Sequence, residues 1–96
     1  MFPKLDPLLH SELRLAVMSI LVDVDKADFV YLKTQTGATA GNLSVQIDKL
    51  AEAGYIVVEK SFKGRKPCTT CQASELGIAA FQAYVQALKD YIKYNP

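Results

Sequence analysis

Four cations, Lys60, Lys63, Arg65 and Lys66, fall within seven residues with no acid among them. Such a cluster suits the neutralisation of a phosphate backbone. It surrounds Gly64 and precedes Pro67, the two residue types that most strongly interrupt regular structure. Arg65 is the best single candidate to enter a minor groove. The competing reading of the same charges is a hairpin edge protected against aggregation.

A second polar set lies upstream. Leu43, Ile47, Leu50 and Ala51 recur at helical spacing and predict a buried stripe. Thr39, Asn42, Ser44, Val45, Gln46 and Lys49 are thereby left on the exposed or flanking surface of that helix. Asn and Gln can pair with adenine edges in the major groove, and Ser, Thr and Lys suit phosphates or base edges. An ordinary solvated face is the bland alternative.

Other reactive residues have less support. Cys68-Thr69-Thr70-Cys71 has the CxxC spacing of redox and zinc sites. There is no second such pair, the single histidine is distant at His10, and the motif falls in a predicted strand. Residues i and i+3 of a strand point to opposite faces, so a shared metal or an intrachain disulfide would be strained. No Ser/His/Asp or Cys/His constellation is read, and the five glycines are isolated rather than gathered into a phosphate loop. The expectation is a chain that is not an enzyme, with no metal and no cofactor.

The elements that would carry these residues follow from periodicity and caps. Asp6-Pro7 is a helix start, and Leu9, Leu13, Ala16, Val17, Ile20 and Leu21 extend a first helix to about Val22. Ala27-Asp28 suits a very short strand. A second helix spans about Phe29 to Thr36, with Phe29, Val30 and Leu32 inside, and turns at Gly37. Thr39 caps a third helix of about Ala40 to Ala53, which Gly54 ends. Strand-forming runs Tyr55–Phe62 and Cys68–Ala73 flank a basic hinge at 63–67. Ser74 then caps a last helix reaching about Tyr94, with Phe81, Tyr84, Val85, Leu88, Tyr91 and Ile92 as its stripe.

Ninety-six residues, half of them hydrophobic, make one small domain. The net charge is only +1, and acids outnumber bases ahead of Lys60, so positive charge is concentrated in the hairpin. The chain starts Met1-Phe2-Pro3-Lys4-Leu5-Asp6 without a long apolar run, so no secretory signal is read. No stretch reaches membrane-spanning length. Two cysteines in such a chain point to a reducing cytoplasm.

Two helices separated by a tight turn, followed by a cationic hairpin, is the order of a winged helix-turn-helix. The fold class expected is α+β, mostly α, in a single domain: helix-turn-helix at about 29–53, wing at about 55–73, long terminal helix at about 75–94. The resemblance extends to particular stretches. Leu5-Asp6-Pro7, Leu13-Arg14-Leu15, Gly41-Asn42-Leu43-Ser44, Leu50-Ala51-Glu52-Ala53-Gly54-Tyr55-Ile56 and Gly64-Arg65-Lys66-Pro67 resemble the small MarR/ArsR-like transcriptional regulators.

That resemblance implies a homodimer on double-stranded DNA, built through the first and last helices. The third helix and wing of each subunit would read one half-site. The DNA-contacting set is then Thr39, Asn42, Ser44, Val45, Gln46, Lys49, Lys63, Arg65 and Lys66. The interface set is Leu9, Leu13, Phe81, Tyr84, Val85, Leu88, Tyr91 and Ile92, whose apolar surplus independently suggests a partner. Val45 and Gln46 stand where the family commonly has a basic or polar pair, Asp48 puts an acid on the reading helix, and Cys71 replaces a usual aromatic. Two other readings stay open at this point. One is a winged-helix protein–protein module, favoured by the near-neutral charge, Val45 and Asp48. The other is a thiol or metal sensor using Cys68 and Cys71.

Overall fold

The computed structural model describes residues 2–93. Its elements run α1 (Glu12–Asp23), β1 (Ala27–Asp28), α2 (Phe29–Thr36), α3 (Ala40–Glu52), β2 (Ile56–Lys63), β3 (Lys66–Ala73) and α4 (Glu75–Lys93). The three strands form one antiparallel sheet in the order β1-β3-β2. The mostly helical α+β fold expected from the sequence is the fold observed. The expected end of the last helix at Tyr94 lies outside the described residues.

The caps explain the boundaries. The Asp28 side chain accepts from the Tyr31 N–H at 2.8 Å, and the Thr39 side chain from the Asn42 N–H at 3.2 Å. Gly37 closes α2 in the left-handed region at φ +70°. At the end of α3 the Gly54 N–H donates to Ala51 O and the Tyr55 N–H to Leu50 O, both at 3.0 Å. This is the paired Schellman pattern, with Gly54 at φ +79° supplying the reversal into β2. Ser74 Oγ accepts from the Gly77 N–H at 3.0 Å and starts α4.

The core joins Leu9, Val17, Met18, Leu21, Leu32, Leu43, Ile47, Leu50, Ile56, Cys71 and Tyr84. Four expectations are corrected. The first helix starts at Glu12, not Pro7, and His10 lies before it. Asp6 instead closes a single turn, taking the Leu9 and His10 N–H groups on its carbonyl and the Leu8 N–H on Oδ1. The Leu8 carbonyl, which a continuous helix would offer to Glu12, accepts from Arg14 Nε at 2.6 Å.

That turn folds Leu9 inward. Leu9 (0 % exposed) and Tyr84 (3 %), both expected at a dimer interface, fill this chain's own core. The Tyr84 hydroxyl also meets His10 Nδ1 at 2.9 Å. Val30, expected inside, is 70 % exposed, because on a helix it lies nearly opposite Leu32. Finally, the basic hinge is not a loop from 63 to 67. The strands pair up to Lys63↔Lys66, leaving a turn of only Gly64 and Arg65.

Gly64 adopts φ +67° and Arg65 does not share that sign, the signature of a type II′ turn, whose twist suits a two-residue hairpin. Pro67 can stay in β3 because it lies beyond the two residues that pair with β1, where the strand has β2 on one side only.

The radius of gyration is 14.6 Å, above the roughly 12–13 Å of a compact chain this long. The principal extents, 57 × 25 × 21 Å, describe an elongated body.

Candidate nucleic-acid interface

In β2 only Ile56 is buried, Val58 is half-buried, and every residue from Glu59 to the tip is exposed. The outer half of the hairpin therefore stands clear of the core. Lys60, Lys63, Arg65 and Lys66 are all exposed on it. Lys63 and Lys66 face each other directly across the last rung. Like charges so placed weaken a strand pair, so the tip holds positive charge at a cost in its own pairing.

On α3, Leu43, Ile47 and Leu50 are buried as expected. Thr39, Asn42, Ser44, Val45 and Lys49 are exposed, and Gln46 is half-buried. Helical geometry divides the open surface into two rows. Gly41, Val45, Asp48 and Glu52 lie opposite the core stripe, while Asn42, Gln46 and Lys49 form one flank. The acids Asp48 and Glu52 are confined to the C-terminal half, so the N-terminal two turns carry no negative side chain.

Gln46 is not a free reader. Its Oε1 accepts from Arg14 Nη1 on α1, and its Nε2 donates to Asn42 Oδ1 at 3.0 Å. Sequence reasoning missed Arg14. The only signal was a cation set between Leu13 and Leu15 in an apolar helix. It also missed the pair Phe62 and Pro67, which face each other one rung behind Lys63 and Lys66, with Phe62 73 % exposed. Period-2 alternation outward from Ile56 and Val58 marks Phe62 as the exposed end of that face.

Cys68 and Cys71 are both free. Cys71 is wholly buried and its thiol is pushed up to about 11 by desolvation, whereas Cys68 is half-buried on the other face of β3. Cys68 borders a cleft of about 330 Å³ between the start of α2 and the hairpin, together with Phe29, Val30, Lys63 and Lys66. Among the described residues no group of three His, Cys, Asp or Glu side chains is placed to hold a metal ion. No helix among them is long and apolar enough to cross a membrane.

The sequence profile of the family described as winged helix DNA-binding domain matches residues 13–92. The chain belongs to that family. β2 and β3 are thus its wing and α3 the second helix of its helix-turn-helix. The chain is 32 % identical over 77 residues to an uncharacterised protein, MJ0432, of Methanocaldococcus jannaschii, a match covering 79 % of this chain and 83 % of that one.

Among solved structures, it resembles a transcriptional regulator homologue from Pyrococcus horikoshii OT3. The TM-score is 0.83 at 27 % identity, over 90 % of this chain and 85 % of the other. The transcriptional regulator BldR from Sulfolobus solfataricus shares the fold at TM-score 0.73 and 17 % identity, over 86 % and 58 % of the two chains. The matched family is thus a DNA-binding domain, and the Pyrococcus horikoshii neighbour of the same fold is described as a transcriptional regulator homologue.

Proposed function

We propose that this winged-helix domain acts as a homodimer that occupies double-stranded DNA, each subunit placing α3 in a major groove and its wing against the adjacent backbone. The observation that carries the reading is the outer wing, fully exposed and bearing Lys60, Lys63, Arg65 and Lys66. An anion between Lys63 and Lys66 would relieve the repulsion built into the last rung.

Thr39, Asn42, Ser44, Val45 and Lys49 serve as the contact residues of α3, with Gln46 held back by Arg14. Exposed α3 residues toward its N-terminus are those that reach base edges in helix-turn-helix proteins. Phe62 and Pro67 supply apolar contact to the groove wall behind Arg65.

The dimer reading rests on α4. Leu76 (56 % exposed), Tyr91 (38 %) and Ile92 (75 %) leave apolar surface at both ends of this helix. Leu13, Phe81, Val85 and Leu88 are only partly covered by their own chain. Phe2 stacks on Tyr91 with ring centroids 4.9 Å apart, so the N-terminal arm reaches the same end of α4. A second copy covers this surface through α4 and the start of α1.

Two measurements test the reading. Retardation of a random duplex at micromolar protein and low salt, weakening steeply as salt rises, is expected. Light scattering should give twice the chain mass. No retardation at low salt would overturn the DNA reading, and a monomer at tens of micromolar would overturn the dimer.

A further inference from the structure

We propose that Arg14 fixes the polarity of the amide pair on α3, so that Asn42 presents hydrogen-bond donors to DNA and selects guanine rather than adenine where it meets a base. This rests on the DNA-binding reading above. The chemistry starts from a group with no choice. A guanidinium only donates, so the Gln46 atom facing Arg14 Nη1 must be the carbonyl oxygen Oε1.

The Gln46 amide nitrogen is then on the other side, and it donates to Asn42 at 3.0 Å. Only Oδ1 of Asn42 can accept there. Asn42 is left with its Nδ2 hydrogens facing outward. The two amides sit one turn apart on the same flank, where i and i+4 side chains meet.

Arg14 is not a mobile surface cation that swings away. Its Nε donates to the Leu8 carbonyl at 2.6 Å, and the Leu8 N–H donates to Asp6 Oδ1 at 2.9 Å. Asp6 Oδ2 accepts from the Tyr55 hydroxyl at 2.6 Å. A continuous chain of hydrogen bonds thus runs from the base of the wing, through the turn at 6–9, to the exposed flank of α3. Arg14 is a positioning residue in that chain.

The consequence concerns which edge fits. A free asparagine reads adenine with both halves of its amide, accepting from N6 and donating to N7. Here the accepting half is engaged. The outward donors match guanine, whose O6 and N7 both accept. The Asn42 backbone N–H is already taken by Thr39 Oγ1 at 3.2 Å, so it adds no competing contact. Asn42 also lies in the first turn of α3, where the partial positive charge of the helix end favours acceptor-rich edges.

The test selects bound sequences from a randomised duplex pool and then measures affinities on guanine- and adenine-bearing duplexes that differ at one base pair. The native chain should prefer guanine by about tenfold at one position per half-site. Asn42→Ala should abolish that preference. With Arg14→Met the guanine preference should be lost and shift towards adenine, because the amides are free to turn.

Gln46→Glu gives the opposite sign to the native chain. Its second carboxylate oxygen accepts from Asn42 Nδ2 and turns Oδ1 outward, so the preference moves to adenine. That move must vanish in the double variant Gln46→Glu/Asn42→Ala. DNA binding with the same base preference in the native chain, Arg14→Met and Gln46→Glu overturns the polarity role and leaves the DNA reading intact. No binding of any duplex by the native chain overturns both. Should Arg14→Met fail to fold, the Gln46→Glu pair decides alone.

Discussion

Gly77 lies so close to Tyr55 that a Cβ on it would stand 2.0 Å from the Tyr55 carbonyl oxygen. That oxygen accepts from the Ser74 N–H at 3.0 Å, and Ser74 Oγ donates to the Gly54 carbonyl at 2.6 Å. The end of α3, the start of the wing and the start of α4 therefore meet at one joint, which sets the angle at which the wing leaves the body.

The first prediction is that Gly77→Ala destabilises the domain by about 1–3 kcal/mol, as expected when backbone must shift to admit a methyl group. Gly41→Ala is the control. It is helical with nothing within 4 Å of the added carbon, so it should be neutral or stabilising by up to about 1 kcal/mol. Urea midpoints of the two variants against the native chain decide it; equal midpoints would show that the joint is loose.

A second prediction concerns the wing charges. Lys63→Ala, Arg65→Ala and Lys66→Ala should each lower affinity on all duplexes alike. Each should also make the salt dependence shallower, by about 1 in slope for every phosphate the variant no longer neutralises. Lys93→Ala on α4, far along the chain from the wing, should leave the slope unchanged. Titrations at several salt concentrations measure both quantities. A slope that no wing substitution changes would mean that these cations do not touch the phosphates.

Much of this arrangement is legible from local chemistry. Gly37, Gly54, Thr39 and Ser74 stand where caps and turns need them, and the two-residue strand at Ala27-Asp28 lies where the sequence predicts it. Val30 and the short turn at Gly64-Arg65 depart from expectation through local geometry, whereas the other errors come from partners distant in sequence. Asp6-Pro7 has the local form of a helix start, but the Tyr55 hydroxyl and Arg14 capture the groups that a continued helix would use. Leu9 and Tyr84 have the pattern of an outward stripe, yet the turn at 6–9 brings both inside. The Arg14–Gln46 contact spans 32 residues and leaves no periodic trace.

The distinction between core and partner surface gives a third prediction. Ile92→Asp changes a side chain that is 75 % exposed, so it should leave the single-chain fold intact while halving the mass seen by light scattering. Tyr84→Ala removes a buried ring that also holds His10. It should cost about 3–5 kcal/mol, the range for emptying a large aromatic site. An Ile92→Asp dimer as tight as the native one would exclude the C-terminal end of α4 from the interface.

The two thiols should differ in reactivity. Thiolate is the reactive form, and Cys71 is wholly buried with its thiol raised to about 11, so it stays protonated and shielded near neutral pH. Cys68 is half-buried beside the cleft and should be alkylated first in the native state, Cys71 only on unfolding. Mass spectrometry after brief alkylation at pH 8 reads both sites. Fast modification of Cys71 in folded protein would reopen the thiol-sensing reading.

Alkaline pH should destabilise the domain in two steps. Burial raises the Cys71 thiol from 9.0 to about 11, so the folded state holds its proton more tightly than the unfolded chain does. That contribution is complete below pH 9 and is lost as pH rises through 11. The hydrogen bond to Asp6, then desolvation and the Asp6 charge, raise the Tyr55 hydroxyl from 10.0 to about 12. Its contribution is complete below pH 10 and disappears towards pH 12. Unfolding midpoints in urea should therefore begin to fall near pH 9. Cys71→Ala should be less stable at neutral pH but lose the first part of that fall, and Tyr55→Phe should lose the second. Midpoints of Cys71→Ala that decline between pH 9 and 10 as steeply as those of the native chain would show that the buried thiol is not the group titrating.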